Sequence, residues 1–350
     1  MGVPGRGRYA LGVVLVIALS PGCGGGAQPQ IGGFQALGGG AYPASVRATY
    51  DASPKYVYAL SWLQARASAV DIYPAALDGN VSPSAVISGS QTQLSEPGGI
   101  VVDNTGRIYV SVIDTDEIVE FPPGSNGNVA PDVIIGGSET ALSRPTGLAL
   151  DAAGNLYVGN CASGCGVGSA PSAVLEFAAG ASSNVAPTRD ISGSNTQVVN
   201  ANAVAVDASG NVYASNYMAN SIVVFDSGAN GNVSPSRVIE GSNTLLDSPE
   251  GIAVDHHGLW AASANEHFLE RFSPNANGNI SPVAVISGNR TRLGNVDGIA
   301  VDLKGTAYAA NPHDGRILGF AARAHGDVRP ILRISGSNTQ LVSPVWVYVK

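Results

Sequence analysis

Ile87-Ser88-Gly89-Ser90-Gln91-Thr92-Gln93-Leu94 decides the fold, because the chain writes this phrase six times. The other copies occupy 135–142, 191–198, 239–246, 286–293 and 334–341. Every copy keeps its glycine (Gly89, Gly137, Gly193, Gly241, Gly288, Gly336) and its threonine (Thr92, Thr140, Thr196, Thr244, Thr291, Thr339). Successive glycines lie 48, 56, 48, 47 and 48 residues apart. A period of that length marks a supersecondary unit that cannot bury its apolar face alone and stacks on its neighbours.

Composition agrees. With 350 residues, 44% of them hydrophobic, the chain can bury a sizeable core. Its 45 glycines and 21 prolines, against only 13% charged residues, suit many short strands and tight turns rather than helices. Lysine occurs only as Lys55, Lys304 and Lys350, and the formal net charge is −8. A nucleic-acid partner is not expected, because a phosphate backbone calls for a basic face.

The amino-terminal residues read as an export signal. Arg6 and Arg8 precede an apolar run, 11–19, that is too short to span a bilayer. Ser20-Pro21-Gly22-Cys23 resembles the lipobox of bacterial lipoproteins, which implies lipidation of Cys23. Leu19 sits one place earlier than that pattern has it, and Pro21 is unusual there. Ordinary cleavage near Gly25-Gly26-Ala27 is the alternative. Either way the mature protein is expected outside the cytoplasm: secreted or periplasmic, or held at the membrane by its lipid. The expected division is a signal over 1–23, a Gly-rich linker over 24–43 and one repeat domain over 44–350. In an oxidising compartment, Cys161 and Cys165 are candidates for a small loop disulfide rather than a metal site.

The fifth unit shows how each repeat is built. A turn at Ser248 leads into a strand ending at Asp255; His256-His257-Gly258 turns the chain into a second strand ending at Ser263. Phe268 opens a third strand, and a fourth runs over 282–287 into the phrase. Asn277-Gly278 is the hairpin signal between those last two, since both residues tolerate positive φ. Four short antiparallel strands per unit make a propeller blade. The long step of 56 comes from an insertion between second and third strands, where Cys161 and Cys165 lie.

At this point the residues carry a resemblance. Pro249-Glu250-Gly251-Ile252-Ala253-Val254-Asp255 and Asp207-Ala208-Ser209-Gly210-Asn211-Val212-Tyr213-Ala214 resemble the NHL repeat, over about 44–349. That resemblance implies a six-bladed propeller. Asn160, Asn216 and Asn311 stand where NHL repeats usually have Asp, and the Arg common before the third strand survives only as Arg316. Residues 344–349 repeat the start of a unit, so they are expected to form the innermost strand of the blade built from about 55–90, closing the ring. The weak strand 45–50 would then be displaced or pair elsewhere; a seven-bladed ring is the alternative.

In a propeller, the residue before the glycine of Pro-x-Gly lies at the mouth of the central channel. Around the ring it reads Ala44 or Val345, Gly98, Thr146, Asn202, Glu250 and Asp297. Asn202, Glu250 and Asp297 are the candidate ligand or metal residues, since such oxygens suit Ca²⁺. The gluconolactonase and senescence-marker propellers resemble this in holding a water-activating divalent metal with Glu, Asn and Asp. The alternative is that the three are ordinary solvated rim residues. Thr146, Asn160, Asn216, His267, Asn311 and His313 share that face, although the asparagines read most simply as loop-closing amides. His256, His257 and His325 fall on the far face, so a three-histidine zinc site of the peptide-amidating-lyase kind does not assemble. No Gly-x-Ser-x-Gly, phosphate-loop or His-Glu-x-x-His motif occurs.

The expected function is a binding module of the cell envelope that takes a protein, peptide or glycan on its channel-mouth face, with no required cofactor. A Ca²⁺-dependent lactonase or related hydrolase, and a purely structural surface repeat, are the alternatives.

Overall fold

The computed structural model describes residues 54–62, 68–161, 172–264 and 267–350. Among the described residues twenty-four strands form six four-stranded antiparallel sheets, in agreement with the six-fold phrase. The first sheet holds β1 (Tyr56–Ser61), β2 (Ala69–Pro74) and β3 (Ala85–Ser88). The second holds β4 (Pro97–Val102), β5 (Ile108–Val112), β6 (Glu117–Phe121) and β7 (Val133–Ile135). The third holds β8 (Pro145–Leu150), β9 (Leu156–Asn160), β10 (Ala173–Phe177) and β11 (Arg189–Ser192). The fourth holds β12 (Ala201–Val206), β13 (Val212–Asn216), β14 (Ser221–Phe225) and β15 (Arg237–Glu240). The fifth is β16 (Pro249–Asp255), β17 (Gly258–Ser263), β18 (Phe268–Phe272) and β19 (Ala284–Ser287). The sixth is β20 (Ile299–Val301), β21 (Ala307–Asn311), β22 (Arg316–Phe320) and β23 (Leu332–Ser335). β24 (Pro344–Val349) completes the first sheet against β1, with Val57 opposite Val349 and Leu60 opposite Trp346. The ring therefore closes through the carboxy-terminal strand, with six blades and not seven. The alternative strand 45–50, the export signal, the linker and Cys23 lie outside the described residues. Among the described residues no helix is long and apolar enough to cross a membrane.

One aromatic per blade fills the space between sheets. Tyr73, Phe121, Phe177, Phe225, Phe272 and Phe320 close the third strands and are all fully buried. Burying a side chain of that size contributes about 1.5–3 kcal/mol. The innermost strands meet with almost no side chain between them. A Cβ on Gly147 would fall 2.7 Å from the Ala203 Cα, and one on Gly298 would fall 2.7 Å from the Trp346 Cα. At these two positions glycine permits the close backbone approach between neighbouring blades.

The phrase is the lock between blades. Its glycine has φ between 108° and 131°. A Cβ there would lie 2.5–2.7 Å from the side chain of Asn128, Asn184, Asn232, Asn279, Asp327 or Asn80, one from each neighbouring blade. Each of those side chains accepts, through Oδ1 at 2.6–2.8 Å, the N–H two residues beyond the glycine. Each Thr Oγ1 donates to the glycine carbonyl and accepts the N–H two residues on. The residue between is left-handed in every copy: Gln93, Ala141, Gln197, Leu245, Arg292 and Gln340.

The hairpin expectation at Asn277-Gly278 needs correcting. Ser273 to Val283 separates β18 from β19, and Gly278 has φ 72° while Asn277 does not adopt positive φ. The pair instead docks on the preceding blade: Gly278 N donates to Val238 O at 2.6 Å, and Asn277 Oδ1 accepts from Val238 N at 3.0 Å. Equivalent arms bridge in parallel to the fourth strands at Ile87, Ile135, Ile286 and Ile334. An outermost strand would otherwise present unpaired N–H and C=O groups to solvent, and the arm covers them. Through Gly79 and Asn80 it also ties the first blade to the sixth.

Candidate functional site

One channel-mouth residue stands at the start of each innermost strand, or in the case of Asp297 two residues before it, and from Thr146 to Asp297 these positions are linked blade to blade. Thr146 is buried, its Oγ1 2.9 Å from Gly159 O and 2.7 Å from Ala201 O in the next blade. Asn202 Nδ2 donates to Glu250 O at 3.2 Å. Beyond it, the carboxyl groups of Glu250 and Asp297 face each other closely enough to share a proton. Gly98 and Val345 complete the ring without polar side chains.

Burial is the main reason that Glu250 and Asp297 both hold their protons far above the usual carboxylate range. Glu250 is pushed up to about 8, first by desolvation and then by the neighbouring Asp297 charge. Desolvation raises Asp297 to about 7, and the hydrogen bond from Glu250 opposes that rise. Among the described residues neither carboxylate has a cationic side chain as partner. Two like charges held this close favour one bound proton or one bound cation between them.

Tyr217, which follows β13, joins this cluster and was not foreseen. Its phenol hydrogen-bonds to Ser248, and burial, then the Glu250 charge, raises its pKa. The equivalent positions in other blades are Trp62, Ile113, Cys161, Ala264 and Pro312. The only available signal was a lone phenol at a position otherwise mostly apolar.

The asparagines at the ends of second strands close loops. Asn160, Asn216 and Asn311 accept from Ser143 N, Val199 N and Gly294 N at 2.7, 2.9 and 2.8 Å. Asn216 also donates to Gln197 O at 2.8 Å. Two blades place serine there and add a buried acid: Ser263 Oγ donates to Glu270 at 2.8 Å, and Ser61 Oγ to Asp71 at 3.4 Å. His267 and His313 are exposed, the latter in a short 3-10 turn, Pro312–Asp314. Cys161 is buried and disulfide-bonded; Cys165 lies outside the described residues.

Comparison with known proteins places this geometry among propellers. The family model of the SMP-30/Gluconolactonase/LRE-like region matches residues 135–285, which include Asn202 and Glu250 but not Asp297. No curated protein matches the chain. The propeller of a nidogen/laminin complex superposes with a TM-score of 0.58 at 13% identity, covering 84% of this chain and 97% of that one. A protein of unknown function from Bacteroides caccae gives 0.56 at 12% identity, covering 84% and 98%. The WD40 propeller domain of Doa1 gives 0.52 at 10% identity, covering 81% and 80%. At these identities the likeness is one of fold.

Proposed function

We propose that this protein is an exported binding propeller whose channel-mouth face takes its ligand around the Glu250–Asp297 pair. The observation that carries this reading is the pair itself: two half-buried carboxyls, without a cationic partner, at the one place where the ring positions converge on acidic groups. A positively charged group of a peptide or protein, or a cation bridging to a glycan, would relieve their repulsion. The solved propellers from a nidogen/laminin complex and from the WD40 class support a partner of protein type.

A photoreactive residue tests the reading directly. Met218, exposed beside Tyr217, is replaced to crosslink envelope components, and His325 on the opposite face serves as control. Crosslinks are expected from position 218 and lost in the Glu250→Ala, Asp297→Ala background. Equal crosslinking from both faces, or crosslinking indifferent to the carboxyls, overturns the proposal.

The second reading is a Ca²⁺-dependent lactonase or related hydrolase. It is favoured by the family match over Asn202 and Glu250 and by the facing carboxyls. Asn202, Glu250 and Asp297 would hold the ion, which would supply an activated water. Asn202 Nδ2 already bonds the Glu250 carbonyl, so its Oδ1 is the atom left to ligate. An unchanged melting temperature between EDTA and excess Ca²⁺ ends this reading. Export and lipidation of Cys23 form part of the main proposal. Metabolic labelling with a fatty acid, absent in Cys23→Ser, tests the anchor.

A further inference from the structure

One cluster outside the channel mouth has ligand chemistry of its own. In four blades the turn after the first strand has a common form. Asp207 shows it: Oδ1 accepts Ser209 N at 2.8 Å and Asn211 N at 2.9 Å, while Asp207 N donates to Asn211 O. The fifth blade is one residue shorter here, which accounts for its step of 47. Asp255 pairs directly with Gly258, so His256 and His257 form the whole tip of the turn.

That deletion gathers three donors. Asp255 Oδ1 is anchored by His257 N at 2.8 Å and Gly258 N at 3.0 Å, which fixes the carboxylate. Its Oδ2 is left 3.3 Å from His257 Nδ1. The two imidazoles lie against each other, tilted by 42°, with centroids 3.8 Å apart. One ligating atom from each of Asp255, His256 and His257 lies within 4.8 Å of the others.

The 3.3 Å separation is long for a strong hydrogen bond. It equals the edge of a tetrahedron with metal–ligand distances of about 2.0 Å. Gly305 in the next blade keeps the space beside these atoms open, since a Cβ there would lie 3.2 Å from His257 Nδ1 and 3.3 Å from Asp255 Oδ2. We propose that Asp255, His256 and His257 bind a borderline divalent transition-metal ion of the Zn²⁺ type on the face opposite the channel mouth. Two imidazoles and one carboxylate select such an ion over Ca²⁺ or Mg²⁺, which take oxygen ligands. His256 is exposed, so the fourth position would face solvent and hold a water that an outside ligand can replace.

The test is titration of tag-free, full-length protein with ZnCl₂ against a chromophoric chelator at neutral pH. Saturable binding is expected, weakened roughly tenfold or more in His256→Ala and in His257→Ala. Asp255→Asn keeps the turn-capping oxygen and should also bind more weakly. Affinity should be unchanged in His325→Ala. Co²⁺ gives a second readout, with visible bands of low-symmetry coordination in the wild type and not in the double histidine variant. Absence of binding, affinity unchanged in the double variant, or equal competition by Ca²⁺ overturns the proposal.

Discussion

The outer lock and the channel mouth are built on the same six-fold ring, and they behave in opposite ways. At the lock, glycine, threonine and a neighbouring Asn or Asp recur in every blade with the same hydrogen bonds. At the mouth, equivalent positions read Val345, Gly98, Thr146, Asn202, Glu250 and Asp297, and each does something different. A position repeated without change answers a need that every blade has. A position that varies around a closed ring is free to answer a need that only the whole protein has.

Breaking the ring altogether should have the largest effect. A chain ending at Ser343 lacks β24, leaving β1 an unpaired edge and Trp346 and Val347 missing from the core. It should lose its cooperative thermal transition; a transition within a few degrees of the intact protein would mean that the lock alone holds the ring. Gly241→Ala attacks the lock, since Gly241 has φ 108° and the added Cβ meets Asn279. A loss of about 2–4 kcal/mol in denaturant unfolding is expected. Asn279→Ala should be less than additive with it, because both remove one contact. Asn279→Asp should be near neutral, as Asp327 already fills that role.

The mouth responds to pH instead. Glu250 and Asp297 have folded pKa values raised above their ordinary ones, so their contribution to stability is complete at low pH. It is lost as pH rises through the folded values, between about 4.5 and about 8 for Glu250. Asp71 and Glu120, both raised to about 7, tilt the curve the same way, so the difference from Glu250→Gln isolates the pair. That variant should reduce the loss of stability across this pH range by on the order of 1 kcal/mol after solvent screening. Bound Ca²⁺ would reverse the slope, favouring the ionised pair. The smallest effect belongs to the lock's left-handed residue. Leu245→Asn should gain about 0.5–1 kcal/mol, because Asn tolerates that conformation and Leu245 is largely exposed.

Much of the fold was legible because blade number and order follow from local patterns. Alternating apolar residues, Asp turns and strand starts such as Pro249-Glu250-Gly251 recur along the chain, and 344–349 repeats the start of a unit. The Asn-Gly pair misled, because its chemistry suits a hairpin tip and a docking arm equally well. Tyr217 escaped notice because its partners, Ser248 and Glu250, belong to the following blade. The Gln, Ala, Leu and Arg residues at the left-handed position carry no signal at all; the Thr and Asn bonds around them impose it.

The sequence by itself determined six repeated units and the set of equivalent positions, because those rest on periodicity along the chain, whereas closure of the ring by β24 against β1 was decided by the structure. Only the tertiary structure decided which mouth residues meet, that Glu250 and Asp297 face each other, and that the histidines of one shortened turn converge with Asp255. Hydrogen bonds and charge coupling act across a few ångströms of space, and residues nearly fifty apart in sequence reach that distance only when the blades pack.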